Sequence, residues 1–191
     1  MDTRDTLLKA ALKVLEEDGE AQFSTRRICI IAKVTAPTLY HHYGSADGLL
    51  SAAIAEAFAQ FLASKQAAVQ SADPVIALRE GWNDYVRFAA ARPRLYAAMM
   101  SRVLGGADIP AAAQAFALLI ERVGAIAATG RLAPGVAEAA DLIWASANAA
   151  SLLHVTARLR CVAPPVASTL ERIREEAMRS ILTSEAKGQS Q

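Results

Sequence analysis

Apolar residues recur at three- and four-residue spacing along nearly the whole chain, and no stretch alternates with a period of two, so the pattern predicts helices throughout. Leu8, Ala11, Leu12 and Leu15 mark a first helix from Thr3 to Asp18, stopped at Gly19. Leu49, Leu50, Ala53, Ile54, Ala57, Phe58, Phe61 and Leu62 mark a long helix from Ala46 to about Gln70. Asp73-Pro74 opens a helix to Ala91 with Leu78, Trp82, Tyr85, Val86 and Ala89, and Arg92-Pro93 a shorter one to Leu104 with Leu95, Tyr96, Met99 and Met100. Pro110 opens a further helix to about Thr129, carrying Phe116, Leu119, Ile120 and Val123. Two final helices are expected, from about Pro134 to Leu159 and from Pro165 to about Ser184. The first of these shows a stripe of Ala137, Ala140, Trp144, Ala147, Ser151, Leu152 and Val155, and the second shows Leu170, Ile173, Ala177, Met178, Ile181 and Leu182. The tail from Glu185 is polar and expected to fray. With two short helices between Ser24 and Tyr43, the fold expected is all-α, of about nine helices.

Those two short helices carry the most specific signal. Ser24 is placed to cap the first, and Ile28, Ile31 and Ala32 give it a buried face, with Phe23 packing back onto the first helix. Lys33-Val34 breaks the pattern and Thr35 begins again as a cap, with Pro37 in the first turn. The second helix runs from Ala36 to about His42 with Leu39 as its one plain core residue, and Gly44 ends it. Thr38, Tyr40, His41 and His42 can all donate hydrogen bonds. A short capped helix held by one Leu and studded with donors suits a DNA major groove. Ser45 caps the long helix that follows, and Asp47 suits its positive end.

LYHHYGSADGLL resembles the segment of tetracycline-repressor (TetR) family regulators in which a Leu-Tyr pair closes the recognition helix, and Ile28 to Thr35 resembles the preceding helix and turn. The likeness covers about the first quarter of the chain in motif detail. It implies a DNA-binding domain at 1–46 and a helical ligand-binding and dimerisation domain at 47–191. By this resemblance Tyr40 and His42 reach phosphates, Thr35 and Thr38 meet backbone or base edges, and Ala36 or Pro37 touches a thymine methyl. The last two helices resemble the family's four-helix dimer bundle, with Ser151, Leu152, Val155, Leu170, Ile173, Ala177 and Ile181 at the seam. Three positions depart from the family pattern: Lys33 stands where Gly is usual, Ala46 where Lys often meets phosphate, and Ile30 and Ile31 add apolar surface. Ile30 either packs on the first helix or stands exposed.

Composition sharpens this only locally. The chain is 191 residues with 53% hydrophobic residues and a net charge of +1, so overall charge does not signal nucleic acid. Arg26, Arg27 and Lys33 lie in a run without acids between Glu20 and Asp47, which makes them candidate phosphate ligands beside Ser24. The bland reading of the same charges is a solvated helix face. The two cysteines, Cys29 and Cys161, form no ligand spacing or disulfide framework, and no signal peptide opens the chain, so a reducing cytoplasm is expected. No run is expected to cross a bilayer. His41-His42 point about 100° apart on a helix with no third ligand near, so no metal or cofactor is expected.

Trp82, Tyr85, Phe88, Tyr96, Met99, Met100, Phe116 and Trp144 concentrate in the middle helices, with Asn148 one turn after Trp144. The mixture suits a mostly apolar cavity with an orienting amide, and equally suits plain core. No nucleophile triad, glycine phosphate loop or paired carboxylate stands out, so no enzyme is expected. The expected partners are an operator duplex, a second copy of the chain and a small apolar or amphipathic effector. The competing expectation is a helical ligand-binding or adaptor protein whose helix-turn-helix no longer binds DNA, favoured by Lys33 and Ala46.

Overall fold

In the computed structural model, residues 2–67 and 71–183 are described. The described residues form nine α-helices: α1 (Thr3–Glu17), α2 (Thr25–Ala32), α3 (Ala36–Tyr43), α4 (Ala46–Ala67), α5 (Pro74–Ala91), α6 (Pro93–Leu104), α7 (Pro110–Ala128), α8 (Val136–Leu159) and α9 (Ala167–Ile181). A 3-10 turn at Glu20–Gln22 joins α1 to α2. The predicted end of the long helix near Gln70, the end of the last helix near Ser184 and the tail from Glu185 lie outside the described residues.

The helices pack as two compact units, Met1–Ser64 with Arg92–Ala112, and Lys65–Ala91 with Ala113–Gln191. The division therefore does not fall after Ala46. The reason is α6, which returns to pack on α1: Arg92 meets Glu16 at 3.4 Å, and Arg102 is paired with Asp47 in the first turn of α4. Leu95 and Met99 of α6 are buried.

In the first unit α1 buries Leu7, Ala10, Ala11, Val14 and Leu15. The expected stripe is thus rotated, with Leu8 and Leu12 only half-buried. Two neighbouring apolar lines run along this helix, and the one that meets α2, α3 and α6 becomes the core. In α2 the buried set is Ile28, Cys29 and Ala32, while Ile30 and Ile31 are exposed, so Ile31 does not belong to the core face.

In the second unit α5, α7, α8 and α9 share one core containing Leu78, Trp82, Val123, Ile126, Ala140, Ile143, Met178 and Ile181. The backbone past α9 returns to the segment before α8: Ala133 N–H donates to Ile181 at 2.8 Å and Thr183 N–H to Arg131 at 3.0 Å. Asp73 caps α5 through the Val75 N–H at 2.8 Å and takes both guanidinium nitrogens of Arg131, at 3.0 and 2.9 Å. Along α8 the small residues Ala139, Ala147 and Ala150 are buried, whereas Ala137, Trp144 and Leu152 of the predicted stripe are exposed. Contrary to the sequence expectation, α4 and α7 are each long and apolar enough, by length and composition, to cross a bilayer. In α4 much of that apolarity is core: Leu49, Ile54, Phe58 and Phe61 are buried.

Candidate nucleic-acid interface

The recognition segment is built as two capped helices around a left-handed turn. Ser24 Oγ accepts the Arg27 N–H at 3.4 Å and starts α2. The helix ends on Lys33 at φ 56° and ψ 42°, with the Val34 N–H donating to the Cys29 carbonyl at 3.1 Å. This is the closing pattern that normally takes glycine. Cys161 repeats it after α8, at φ 54°.

Thr35 stands at the start of α3 with extended backbone, yet its side chain makes no capping bond. Instead its hydroxyl shares a hydrogen bond with Thr38 Oγ1 at 2.9 Å. Leu39 is wholly buried and anchors the helix from behind. Thr35, Pro37, Tyr40 and His41 are exposed, while Ala36, Thr38 and His42 are half-buried. The rings of His41 and His42 meet edge to face at 5.3 Å. Among the described residues no three His, Cys, Asp or Glu side chains are grouped to hold a metal ion.

Two features beyond the expected set fix this helix. Tyr43 donates its hydroxyl to the Arg4 carbonyl at 2.8 Å, and the Arg4 guanidinium sits 5.7 Å from the centre of its ring. Burial pushes the Tyr43 hydroxyl above its ordinary pKa, against the opposing pull of Arg4. At Gly48, in the first turn of α4, a Cβ would stand 2.2 Å from the Tyr43 carbonyl. Ser45 Oγ accepts the Gly48 N–H at 2.9 Å. The close junction of α3 and α4 therefore needs glycine, and Asp47-Gly48 in a helix start is the only local hint of it.

Of the candidate phosphate ligands, Arg26 and Lys33 are exposed. Arg27 is exposed too, but its guanidinium is engaged by Asp18 at 2.5 Å. The acid-free run holds in sequence only, because the end of α1 brings an acid to it.

The aromatic and methionine group divides. Tyr96 and Met99 are buried in the first unit, with Met100 half-buried beside them on α6. Trp82, Tyr85, Phe88, Phe116, Trp144 and Asn148 belong to the second. There Trp82 is buried and donates to Ser146 Oγ at 2.9 Å, and the Tyr85 hydroxyl donates to Asn148 Oδ1 at 2.9 Å. The Asn148 amide in turn donates to the Trp144 carbonyl at 2.8 Å. Phe116 and Trp144 meet edge to face at 6.4 Å. Of the expected dimer residues, Ser151, Val155 and Ile181 are buried within the chain itself. Leu170, Ile173 and Ala177 are partly buried against the second unit's core, and Leu152 is exposed.

Residues 7–53 match the family described as bacterial regulatory proteins, tetR family. The chain is similar to the HTH-type transcriptional repressor NicS of Pseudomonas putida, with 34% identity over 90 residues. That match covers 44% of this chain and 42% of the relative, so the chain spans less than half the length of the curated relative it matches. Among solved structures it is similar to a protein of unknown function from Rhodococcus sp. RHA1, at a TM-score of 0.82 and 23% identity, covering 96% of this chain and 97% of the other. It is also similar to a putative tetR family transcription regulator from Shewanella sp. PV-4, at 0.67 and 20%, covering 96% and 100%. At these identities the structural likeness concerns the fold.

Proposed function

We propose, on the premise of the match of residues 7–53 to the tetR family of bacterial regulatory proteins, that this chain is a TetR-type one-component transcriptional repressor working as a homodimer on a near-palindromic operator. The observation that carries the reading is the disposition of α3. Leu39 is sealed behind it while Thr35, Pro37, Tyr40 and His41 are exposed. Arg26 and Lys33, exposed on the neighbouring turn and helix, add positive charge. Tyr40 and His42 meet phosphates, Thr35 and Thr38 the backbone or base edges, and Ala36 or Pro37 a thymine methyl.

One α3 reads one half-site, so two copies at successive turns of the duplex, about 34–36 Å apart, supply useful affinity. The exposed apolar residues of α8, among them Leu142, Leu152 and Leu153, support this helix as the seam between copies. The name of the NicS relative supports repression as the sign of regulation. A small amphipathic effector held by the second unit, with Trp82, Tyr85, Phe88, Phe116, Trp144 and Asn148 as its candidate lining, favours a conformation with lower operator affinity. Such a regulator acts in the cytoplasm and catalyses nothing.

The test is duplex binding by the purified chain. Retention at about 50 mM salt with release by about 200 mM is expected, as for a protein held largely by phosphates. Tyr40→Phe combined with His42→Ala weakens retention and flattens its salt dependence. A double variant with an unchanged gel shift removes α3 from the interface.

A further inference from the structure

Within the second unit, the last turn of α4 meets α5 and α7 at a group of cations with Asp84 among them. Lys65, near the end of α4, is only 7% exposed. Its ammonium donates to the Gly81 carbonyl at 2.9 Å and stands 3.4 Å from Asp84. Asp84 is shared, since its other oxygen takes Arg87 at 3.2 Å. From α7, Arg122 donates through Nη2 to the Lys65 carbonyl at 3.3 Å. Its Nε is sealed from solvent and meets no acceptor. Among the described residues no carboxylate lies within ion-pair distance of Arg122. A Cβ at position 81 would stand 2.6 Å from Arg122 Nη1, so the guanidinium fills the space that a side chain there would take.

Two cations of this group, Lys65 and Arg122, are withdrawn from water, whereas Arg87 is largely exposed. A charge withdrawn from water is costly unless it is paired, and Arg122 has no carboxylate within ion-pair distance among the described residues. Burial shows directly in Lys65, pulled down to about 8 despite the opposing effect of Asp84, and it lowers Arg122 as well. Against this cost Arg122 has one long hydrogen bond to a neutral carbonyl and the attraction of Asp84 from beyond ion-pair distance. The outer edge of the guanidinium is the reachable one: Nη1 makes no hydrogen bond among the described residues and, unlike Nε, is not sealed, and a planar carboxylate takes two parallel N–H bonds from such an edge. The same α5 that carries Gly81 and Asp84 also carries Trp82 and Tyr85.

We propose that Arg122 and Lys65 form the anion-binding end of the effector site, and that the effector is a small organic acid whose carboxylate pairs with the Arg122 guanidinium. The assignment rests on the second unit being the effector domain, and it is tested without DNA so that its outcome is independent of operator binding.

The probes are benzoate and phenylacetate, each beside its neutral amide, with inorganic phosphate and sulfate as further arms at fixed ionic strength. At about tenfold Kd at least one acid raises Tm by roughly 3–6 °C, while its amide and the inorganic anions do not. Arg122→Gln abolishes that rise without lowering the unliganded Tm. Arg122→Lys keeps the charge and loses the fork, so it loses most of the rise and serves should the Gln variant not fold. The proposal is overturned if neither acid stabilises beyond its amide, if phosphate or sulfate stabilises equally, or if the rise survives in the Arg122 variant that folds.

Discussion

Asp18, at the end of α1, holds the Arg27 guanidinium at 2.5 Å, although both groups are partly open to solvent. An exposed pair of this kind contributes little to stability. On the proposed DNA-binding reading its consequence is electrostatic, since the pair withholds from phosphate a cation on the helix before α3. Asp18→Asn is therefore expected to tighten duplex binding and to steepen the dependence of log K on log salt by about 0.9, one added phosphate contact. Fluorescence anisotropy across a salt series measures this. Parallel slopes for parent and variant count against a latent phosphate contact at Arg27.

Lys33 and Cys161 both hold left-handed backbone at a helix end, at φ 56° and 54°. A side chain in that region is strained by roughly 1 kcal/mol relative to glycine. Lys33→Gly and Cys161→Gly should each raise stability by about 0.5–1 kcal/mol in urea unfolding, partly offset by the freer unfolded chain. The two positions lie in different units, so the gains should add within about 0.5 kcal/mol.

Gly48→Ala is expected to do the opposite. Its Cβ meets the Tyr43 carbonyl, a backbone atom that cannot swing aside as a flexible side chain does. Overpacking of this kind costs about 1–3 kcal/mol. Because the strain falls on the last residue of α3, duplex affinity should fall even where the variant remains folded. Full affinity in a folded Gly48→Ala variant would mean that the α3–α4 junction does not position the reading helix.

The Asp73–Arg131 pair sets an acid limit. The two Arg131 hydrogen bonds lead in holding the Asp73 carboxyl down at about 2, with the Val75 N–H adding to them. A depressed carboxylate contributes stability above its unfolded value, about 3.8, and loses it as pH falls through the folded value. Asp73→Asn keeps a capping side chain and removes the charge. The parent should exceed this variant by roughly 1 kcal/mol near neutral pH, after discounting for solvent screening of so exposed a pair. The difference should close between about pH 4 and pH 2. Urea midpoints across that range give the comparison, and a gap independent of pH would place the effect in the cap and not in the charge.

Much of this fold is legible along the chain because its determinants are local. Ser24, Ser45, Asp73, Pro74, Pro93 and Pro110 mark helix starts within a turn of their own position, and the hydrogen bonds they serve span at most four residues. The recognition helix was readable for the same reason: its limits, its single Leu anchor and its donors all lie within eight residues. The face of a helix was less readable where two apolar lines compete. In α1 the Leu7–Val14 line won over Leu8 and Leu12, and in α2 Ile31, expected on the core face, is exposed.

The nine helices of the described residues, the turn between α2 and α3, and the run of donors on α3 could be read from the chain alone, because backbone propensity and capping act between near neighbours. Packing in three dimensions settled that Asp18 takes Arg27, that α6 joins the first unit, and that Ser151, Val155 and Ile181 are buried within the chain itself. It alone brought Lys65 beside residues 81, 84 and 122. Charges and helix faces are matched through space, and no spacing along a single helix records which distant element will arrive to meet them.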